Sequence, residues 1–553
     1  MAKYNPFGQI PLENREWPSK VITKAPAWCS VDLRDGNQAL AVPMNVEQKL
    51  AYFDMLVKIG FKEIEVGFPS ASQTEYDFLR RLIEENRIPA DVTIQVLCQA
   101  REHLIKQTME CIKGAPKVIF HIYNSTSPSQ RKYTFNMTKD EITKIAVEGV
   151  RLIKQLLPYA GDTKIQLEYS PESFSNTEIE YAVEICEAVQ KEWQPSADNK
   201  IIFNLPTTVE YATANIYADQ VEYFGKHISH RENVIISTHC HNDRGTGVAA
   251  CELALLAGAD RVEGCLFGNG ERTGNLDIVT TAMNMYTQGI DTGLDFSNLP
   301  EITAKYIEFT DMEVPPRQPY AGALVFTAFS GSHQDAIRKA MTARRTMPAD
   351  APWDVTYIPL DPHDIGREYE EIIRINSQSG KGGAAWILEQ EYGIFLPKAM
   401  HPTLGKVITE EADRRQRELS ASEIYDLFNE TWLKTTSPLK ILDIAQTSLG
   451  ENQVQCRASV LFTGETIAIG AKGNGPLDAF VSALKDTPIP SFSISAFHEH
   501  AIGSGTDTEA LACVEIQLEN GEKYWGCGKS PNIGHAGINA VVSAVNRIQN
   551  PEL

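Results

Sequence analysis

Eight short apolar runs mark the first half of the chain, at 28–34 (WCSVDLR), 62–67 (KEIEVG), 92–98 (VTIQVLC), 117–122 (KVIFHI), 164–169 (KIQLEY), 200–204 (KIIFN), 233–239 (NVIISTH) and 261–267 (RVEGCLF). The stretches between them carry apolar residues at helical spacing, as at 45–60 (NVEQKLAYFDMLVKIG) and 138–157. Gly60 closes the first of these as a helix C-cap residue would. Strands alternating with helices predict a parallel sheet, because a parallel return needs a crossover long enough to hold a helix. Eight such units over about 260 residues match a closed (β/α)8 TIM barrel in size. An open doubly wound sheet is the alternative, and the lack of a Gly-rich dinucleotide turn after the first strand counts against it.

The alternation stops near residue 312, and VPPRQPY at 314–320 reads as a boundary. Residues 323–435 read as mostly helical, broken at 347–370 by a Pro- and Asp-rich stretch expected to form a long ordered loop. Strands return from about 437 in two copies of a three-strand-plus-helix unit. Aligning AFVSALK at 479–485 with AVVSAVN at 540–546 sets the copies 61 residues apart. Phe462–Glu465 and Glu519–Glu522 read as matching hairpin turns. The expected organisation is a barrel with an N-terminal extension over 1–322, helical linker subdomains over 323–436, and an α+β domain of two βββα repeats over 437–553.

Composition narrows the function. Lys+Arg 51 against Asp+Glu 72 gives a net charge of −21, which argues against extended nucleic-acid or anionic-membrane binding. A small anionic substrate remains compatible, because helix N-termini and a metal act locally. No apolar run is long enough to span a bilayer, and the N-terminus lacks a signal-peptide core, so a cytoplasmic protein is expected. The ten cysteines include no C-x-x-C pair, the pattern of reduced, buried thiols.

In such barrels the chemistry sits at the C-terminal ends of the strands. Those ends carry Arg34 and Asp35, Glu65, Gln99 and Arg101, His121, Ser170 and Glu172, Asn204, Thr207 and Thr208, His239 and His241, then Asn269, Glu271 and Asn275. His239 and His241 are two apart, so on a strand they project to one side. With Asp35, from a strand separated from theirs by one neighbour in a closed barrel, they make a two-histidine, one-carboxylate set that leaves coordination positions open. Such nitrogen and oxygen ligands suit Mg²⁺, Mn²⁺, Co²⁺ or Zn²⁺. Arg34 beside Asp35 is placed to stabilise an alkoxide. Thr208 also reads as a helix N-cap.

LRDGNQ at 33–38, IEVGFP at 64–69, STHCHND at 237–243 and GNGERTGN at 268–275 resemble the signatures of the metal-dependent Claisen-condensing barrel enzymes, the DRE-TIM metallolyase superfamily. VDLRDGNQAL, AFSGSHQDAI at 328–337 and RINSQSGKGG at 374–383 are similar to the long-form 2-isopropylmalate synthases within it. The resemblance implies that Asp35, His239 and His241 hold a divalent metal (Mg²⁺ or Mn²⁺, with Zn²⁺ an option), with Asn275 in or near its shell. Arg34 would polarise the ketone of 2-oxoisovalerate, with His121, Ser170 and Thr208 seating that substrate. Glu172 and His333 would deprotonate the methyl group of acetyl-CoA. It further implies a homodimer in which linker residues, His333 with Arg367 or Tyr369, reach the partner's site, and a monovalent cation such as K⁺ as activator. The C-terminal repeat would bind leucine as an inhibitor, with Gly503, Gly505 and Ala510 in AIGSGTDTEALA (501–512) as the candidate contacts.

From the residues alone, His333 reads rather as a helix-start histidine, and Arg367 and Tyr369 rather as solvated loop residues. Citramalate synthases also carry the C-terminal repeat, whereas homocitrate synthases generally lack it and hydroxymethylglutaryl-CoA lyases do not usually have it. A leucine-sensing protein on a decayed barrel is the non-enzymatic alternative. It should have lost part of the Asp35, His239, His241 set, which here is intact.

Overall fold

The computed structural model describes residues 8–328, 331–348, 350–369, 383–417, 419–450, 453–502 and 508–549. Strands β1 (Ala27–Ser30), β2 (Glu63–Gly67), β3 (Thr93–Gln99), β4 (Lys117–Ser125), β5 (Lys164–Glu172), β6 (Ile201–Thr207), β7 (Val234–Cys240) and β8 (Arg261–Gly264) close into a barrel in sequence order, with β8 parallel to β1. A helix follows each strand. Reciprocal capping boxes, Asn45 with Gln48 and Thr138 with Glu141, start the helices Val46–Ile59 and Lys139–Leu156 where the sequence placed them. Gly60, at φ 114°, stops the first.

Two strands end sooner than the apolar pattern predicts. β1 stops at Ser30, and Asp32–Gly36 forms a π-helical turn that carries Arg34 and Asp35. Buried Asp32 pins that turn, accepting from Ser30 Oγ at 2.7 Å, Tyr52 OH at 3.0 Å and the Leu266 amide at 3.0 Å. Burial pushes its pKa up to about 6 against those bonds. β8 stops at Gly264, and the turn Leu266–Gly268 follows.

The inside of this barrel is polar. Val and Ile of β2, β3 and β8 face the helices. The alternate positions put Glu65, Gln95, Arg261 and Glu263 inside, all fully buried, and Glu168 and Ser237 of β5 and β7 join them. Arg261 donates to Glu63 Oε2 at 2.5 Å, Ser237 Oγ at 2.8 Å, Glu263 Oε1 at 2.9 Å and Gln95 Oε1 at 2.6 Å. A buried guanidinium with that many acceptors makes an ionic core tolerable in place of the usual aliphatic layers.

One compact unit runs to Phe326 and takes in Pro359–Tyr369; the second holds Thr327–Ile358 and the described residues from 383 on. Pro359–Tyr369, in the stretch expected to be linker, is thus part of the barrel unit. Arg367 there donates to the Tyr320 and Gly322 carbonyls at 3.0 and 2.7 Å and lies over the Phe326 ring.

In the second unit the helices Gly383–Tyr392, His401–Arg415 and Ala421–Phe428 precede two antiparallel sheets. The first is β9 (Leu439–Gly450), β10 (Gln453–Phe462) and β11 (Glu465–Gly473), followed by the helix Pro476–Leu484. The second is β12 (Phe492–Ile502), β13 (Glu509–Leu518) and β14 (Lys523–Ser530), followed by Ile533–Gln549. Val460 and Phe480 of one copy share a core with Val514 and Val541 of the other. The turn glycines Gly464 and Gly521, at φ 91° and 90°, and the helix starts Pro476 and Ile533 are each 57 residues apart. The 61-residue alignment is therefore one helical turn out, because small residues recur along both helices. β13 is covered on both faces: Ala512 and Val514 point into that shared core, while Leu511 and Cys513 pack with Leu404, Ile424 and Trp432 of the helices before it.

Candidate active site and metal centre

The strand ends of the barrel open onto a cavity of about 360 Å³. Its walls are alternate residues of successive strands: Leu97 and Gln99, His121 and Tyr123, Ser170 and Glu172, Asn204, Pro206 and Thr208, His239 and His241. Arg34 and Asp35 join them from the turn after β1. Eleven of the residues singled out in the sequence thus face one space: Arg34, Asp35, Gln99, His121, Ser170, Glu172, Asn204, Thr208, His239, His241 and Glu271.

At its floor Asp35 Oδ2 lies 3.2 Å from His239 Nε2 and 3.8 Å from His241 Nε2. Ligand atoms of these three residues all lie within 4.8 Å of one another, and the side chains are buried. One carboxylate oxygen and two imidazole nitrogens at that spacing fit around a divalent cation bound at about 2.0–2.2 Å from each. A buried polar atom without a hydrogen-bond partner, Asn275 Oδ1, adds to the fit. Asn275 is brought in by the 268–275 loop, which folds back so that Asn275 bridges to His241 as in a strand pair. That fold needs glycine: at Gly274, φ 93°, a Cβ would stand 2.0 Å from the Gly268 carbonyl oxygen.

Charge is shared out accordingly. Burial opposes ionisation of Asp35, but Arg34, His239 and His241 outweigh it and hold its pKa well below the carboxylate range. Burial also works against a charged His239, yet the Asp35 and Glu263 carboxylates push its pKa up to about 9. His241, desolvated and beside His239, is pushed down to about 4. Arg34 keeps its charge through Glu65 Oε2 at 2.6 Å and Asp35 Oδ1 at 3.0 Å.

His121 sits between Glu65 Oε1 at 3.0 Å and Ser170 Oγ at 2.7 Å. Glu172, on the cavity wall, accepts from Ser125 Oγ. Thr208 is not a helix cap. The next helix is Ala214–His227 with Thr213 at its N-cap position, and Thr208 Oγ1 instead accepts the Ser173 amide at 2.9 Å. Three other strand-end residues have local roles: Asn269 donates to the Gly36 carbonyl, Thr207 accepts the His241 amide, and Arg101 precedes the helix Glu102–Cys111. In the second unit, His333 is exposed near the start of the helix Gly331–Arg344, its ring stacked on Tyr357 at 4.0 Å. Ala510 is buried on β13. Gly503, Gly505 and most of RINSQSGKGG lie outside the described residues.

Known proteins match this chain over its whole length. Residues 25–305 match the HMGL-like family, 323–389 the alpha-isopropylmalate synthase post-catalytic domain, and 418–549 the LeuA allosteric (dimerisation) domain. The 2-isopropylmalate synthase of Clostridium acetobutylicum is 54% identical over 552 residues, 99% of each chain. That of Acetoanaerobium sticklandii is 51% identical, covering 99% of this chain and 96% of its own, and that of Ralstonia nicotianae 49%, covering 99% and 95%. The chain belongs to the 2-isopropylmalate synthase family. It is an enzyme of the HMGL-like group, a metal-dependent family, and its buried Asp35, His239 and His241 form a cluster that could hold a divalent ion. No helix among the described residues is long and apolar enough to cross a membrane.

Relative to this family site, sequence reasoning missed two sets of residues. One is the apolar part of the cavity wall, Phe68, Leu97, Tyr123 and Pro206, which looks like ordinary strand sequence until the inward face is known. The other is the charged layer beneath, Gln95, Glu168, Arg261 and Glu263. A signal for it was present in RVEG, where charges two apart on a strand share a face.

Proposed function

We propose that this enzyme condenses acetyl-CoA with 2-oxoisovalerate to give 2-isopropylmalate and CoA, with leucine as feedback inhibitor. The observation that carries the reading is the buried Asp35, His239, His241 set at the floor of a cavity, with Arg34 beside it. A bound Mg²⁺ or Mn²⁺, or Zn²⁺, would polarise the 2-oxo group there, with Asn275 beside the three ligands. Arg34, fixed by Glu65 and Asp35, presents a permanent positive charge where the ketone oxygen becomes an alkoxide. His121, Ser170 and Thr208 stand on the opposite wall, in reach of the acid's carboxylate. Glu172 is the barrel's own base for the thioester methyl. His333, exposed in the second unit, is its partner, supplied to a barrel mouth within a homodimer. The enolate adds to the ketone carbon, and hydrolysis of the resulting thioester releases CoA and makes the reaction irreversible. Ten described cysteines, all free and buried, support a reducing, cytoplasmic setting.

Phe68, Leu97 and Pro206 form the surface suited to an isopropyl group. Leu97→Phe should crowd it and shift the 2-oxoisovalerate-to-pyruvate ratio of kcat/KM toward pyruvate by roughly 10-fold or more. An unchanged ratio would remove Leu97 from the side-chain pocket. The first experiment on the parent enzyme is acetyl-CoA-dependent thiol release with Mg²⁺ or Mn²⁺, comparing 2-oxoisovalerate, pyruvate and 2-oxoglutarate, each with leucine and with K⁺ or Na⁺. Leucine-suppressed release with 2-oxoisovalerate supports the reading. A preference for pyruvate makes the enzyme a citramalate synthase, and no release with any acid returns the binding-protein alternative.

Leucine control is expected to reside in the two βββα repeats. Truncation after residue 436 should abolish leucine sensitivity and lower activity together, because it uncovers the Leu404, Ile424 and Trp432 core that β13 and β14 close. Size-exclusion chromatography of the truncated chain checks this: a well-behaved, fully active, leucine-insensitive enzyme would contradict it.

A further inference from the structure

The metal ligands and the substrate wall are tied together beneath the cavity by residues with no role assigned above. Glu263, fully buried on β8, receives four hydrogen bonds. Gln95 Nε2 and Arg261 Nη1 donate to Oε1 at 2.8 and 2.9 Å, and Asn204 Nδ2 donates to Oε2 at 2.9 Å. The fourth partner is His239 Nδ1, 2.8 Å from Oε2. A carboxylate with that many donors is ionised and can only accept, so the hydrogen on the last line belongs to the imidazole. Nδ1 is then the nitrogen that keeps its hydrogen, and Nε2, the atom that faces Asp35 and His241, is the one left to give up its proton and take an ion.

Asn204 carries the order onward. Its amide group donates to Glu263 and also to Ser170 Oγ at 3.2 Å, and Ser170 meets His121 Nε2. His121 meets Glu65, Glu65 holds Arg34, and Arg34 holds Asp35. The contacts close a ring: Asp35, Arg34, Glu65, His121, Ser170, Asn204, Glu263, His239 and back to Asp35. β3 braces it across the middle, with Gln95 Nε2 reaching Glu65 Oε1 at 3.1 Å as well as Glu263.

We infer that Glu263 is the positioning residue of the metal centre: it fixes His239 with Nε2 free for the ion and, through Asn204, locks that orientation to the Ser170 and His121 wall where the oxo acid sits. The inference rests on the metal assignment made above. A glutamine at 263 keeps the shape but presents either an N–H₂ group or a neutral oxygen to His239. The first turns the imidazole into the wrong tautomer, and the second holds the right one more weakly. Loss of such an outer partner of a metal-bound histidine typically weakens metal affinity about 10–100-fold.

Glu168 supplies the control. It is equally buried, 3.4 Å from Arg261 Nη1 and 3.5 Å from His121 Nδ1, but has no contact with His239. Burial and the neighbouring Glu263 charge push its pKa well above the usual value, and glutamine keeps its shape while removing a carboxyl group of the same layer that makes no hydrogen bond to His239.

The test is Mn²⁺ titration of the full-length, metal-stripped protein, read by the loss of the free-ion EPR signal, with the visible spectrum of the Co²⁺-loaded protein as a check on the ligand field. Glu263→Gln should bind Mn²⁺ about 10–100-fold more weakly and change the Co²⁺ spectrum. Glu168→Gln should stay within about threefold of the parent. If Glu263→Gln does not fold, Glu263→Asp carries the same test, since it keeps the charge but draws the carboxylate back from His239. Parent-like Mn²⁺ affinity in a folded position-263 variant overturns the inference, as does an equal loss in Glu168→Gln, which would mean only that the layer is fragile. A parent protein that binds no Mn²⁺, and is indistinguishable from His241→Ala, would sink the metal assignment as well.

Discussion

Asp35→Ala should cost at least about 10³-fold in kcat/KM, the scale on which a metal's several kcal/mol of charge stabilisation acts. Three effects combine in that one side chain. It is the only carboxylate of the three-residue cluster, it offsets the charge that it helps to hold on His239, and it anchors one side of the Arg34 guanidinium. The fold should survive, because Arg34 retains Glu65 and the 32–36 turn is pinned by Asp32 rather than by Asp35. Asp35→Asn keeps an oxygen donor but not the charge, so its metal affinity should fall between those of the parent and the alanine variant. The measurement is thiol release beside Mn²⁺ titration, with circular dichroism to confirm the fold. Retained Mn²⁺ binding together with retained turnover in Asp35→Ala would falsify the assignment of the site.

The largest effect on stability is expected beneath the site rather than in it. Arg261→Met keeps the aliphatic length but removes the cation that faces Glu63, Glu168 and Glu263, leaving buried carboxyls without a counter-charge. Breaking a buried ion pair from one side costs about 3–5 kcal/mol, or a fall in Tm of roughly 5–15 °C for a unit of this size. The sign of the pH dependence follows from linkage. Without the guanidinium, burial keeps Glu168 and Glu263 protonated in the folded barrel to a higher pH than in the unfolded chain, where they ionise at the ordinary glutamate value. The folded variant then binds more protons than the unfolded one, so its deficit against the parent grows as pH rises above that value. Thermal melts of parent and variant at pH 5 and pH 8 test both points. Equal melting temperatures, or a deficit that shrinks toward pH 8, would mean that the layer is not held by this ion set.

The sequence by itself determined the barrel and most of its mouth. Eight apolar runs spaced by amphipathic helices leave few alternatives to a closed parallel sheet, and strand period alone put His239 and His241 on one side. The same period fixed which residues of β4, β5 and β6 share a face with them. Capping boxes and Gly60 fixed helix ends, because those signals act within a few residues.

What only the tertiary structure decided lies between residues far apart in the chain. Asp35 meets His239 across 204 positions because β8 closes the sheet between β1 and β7. The early end of β1 was hidden for the same reason: Asp32 is held by an amide 234 residues away. Glu263 and Arg261 read locally as the polar positions of a half-exposed strand. Once the sheet closes on itself, that face is the interior, and each charge must find its partner on another strand. Asn275 reaches His241 only because the 268–275 loop folds back onto the end of β7. Residue patterns specify direction and period along one strand; which strand end meets which is set by closure of the barrel, and so the Asp35, His239, His241 cluster could be named in advance but the ring of contacts beneath it could not.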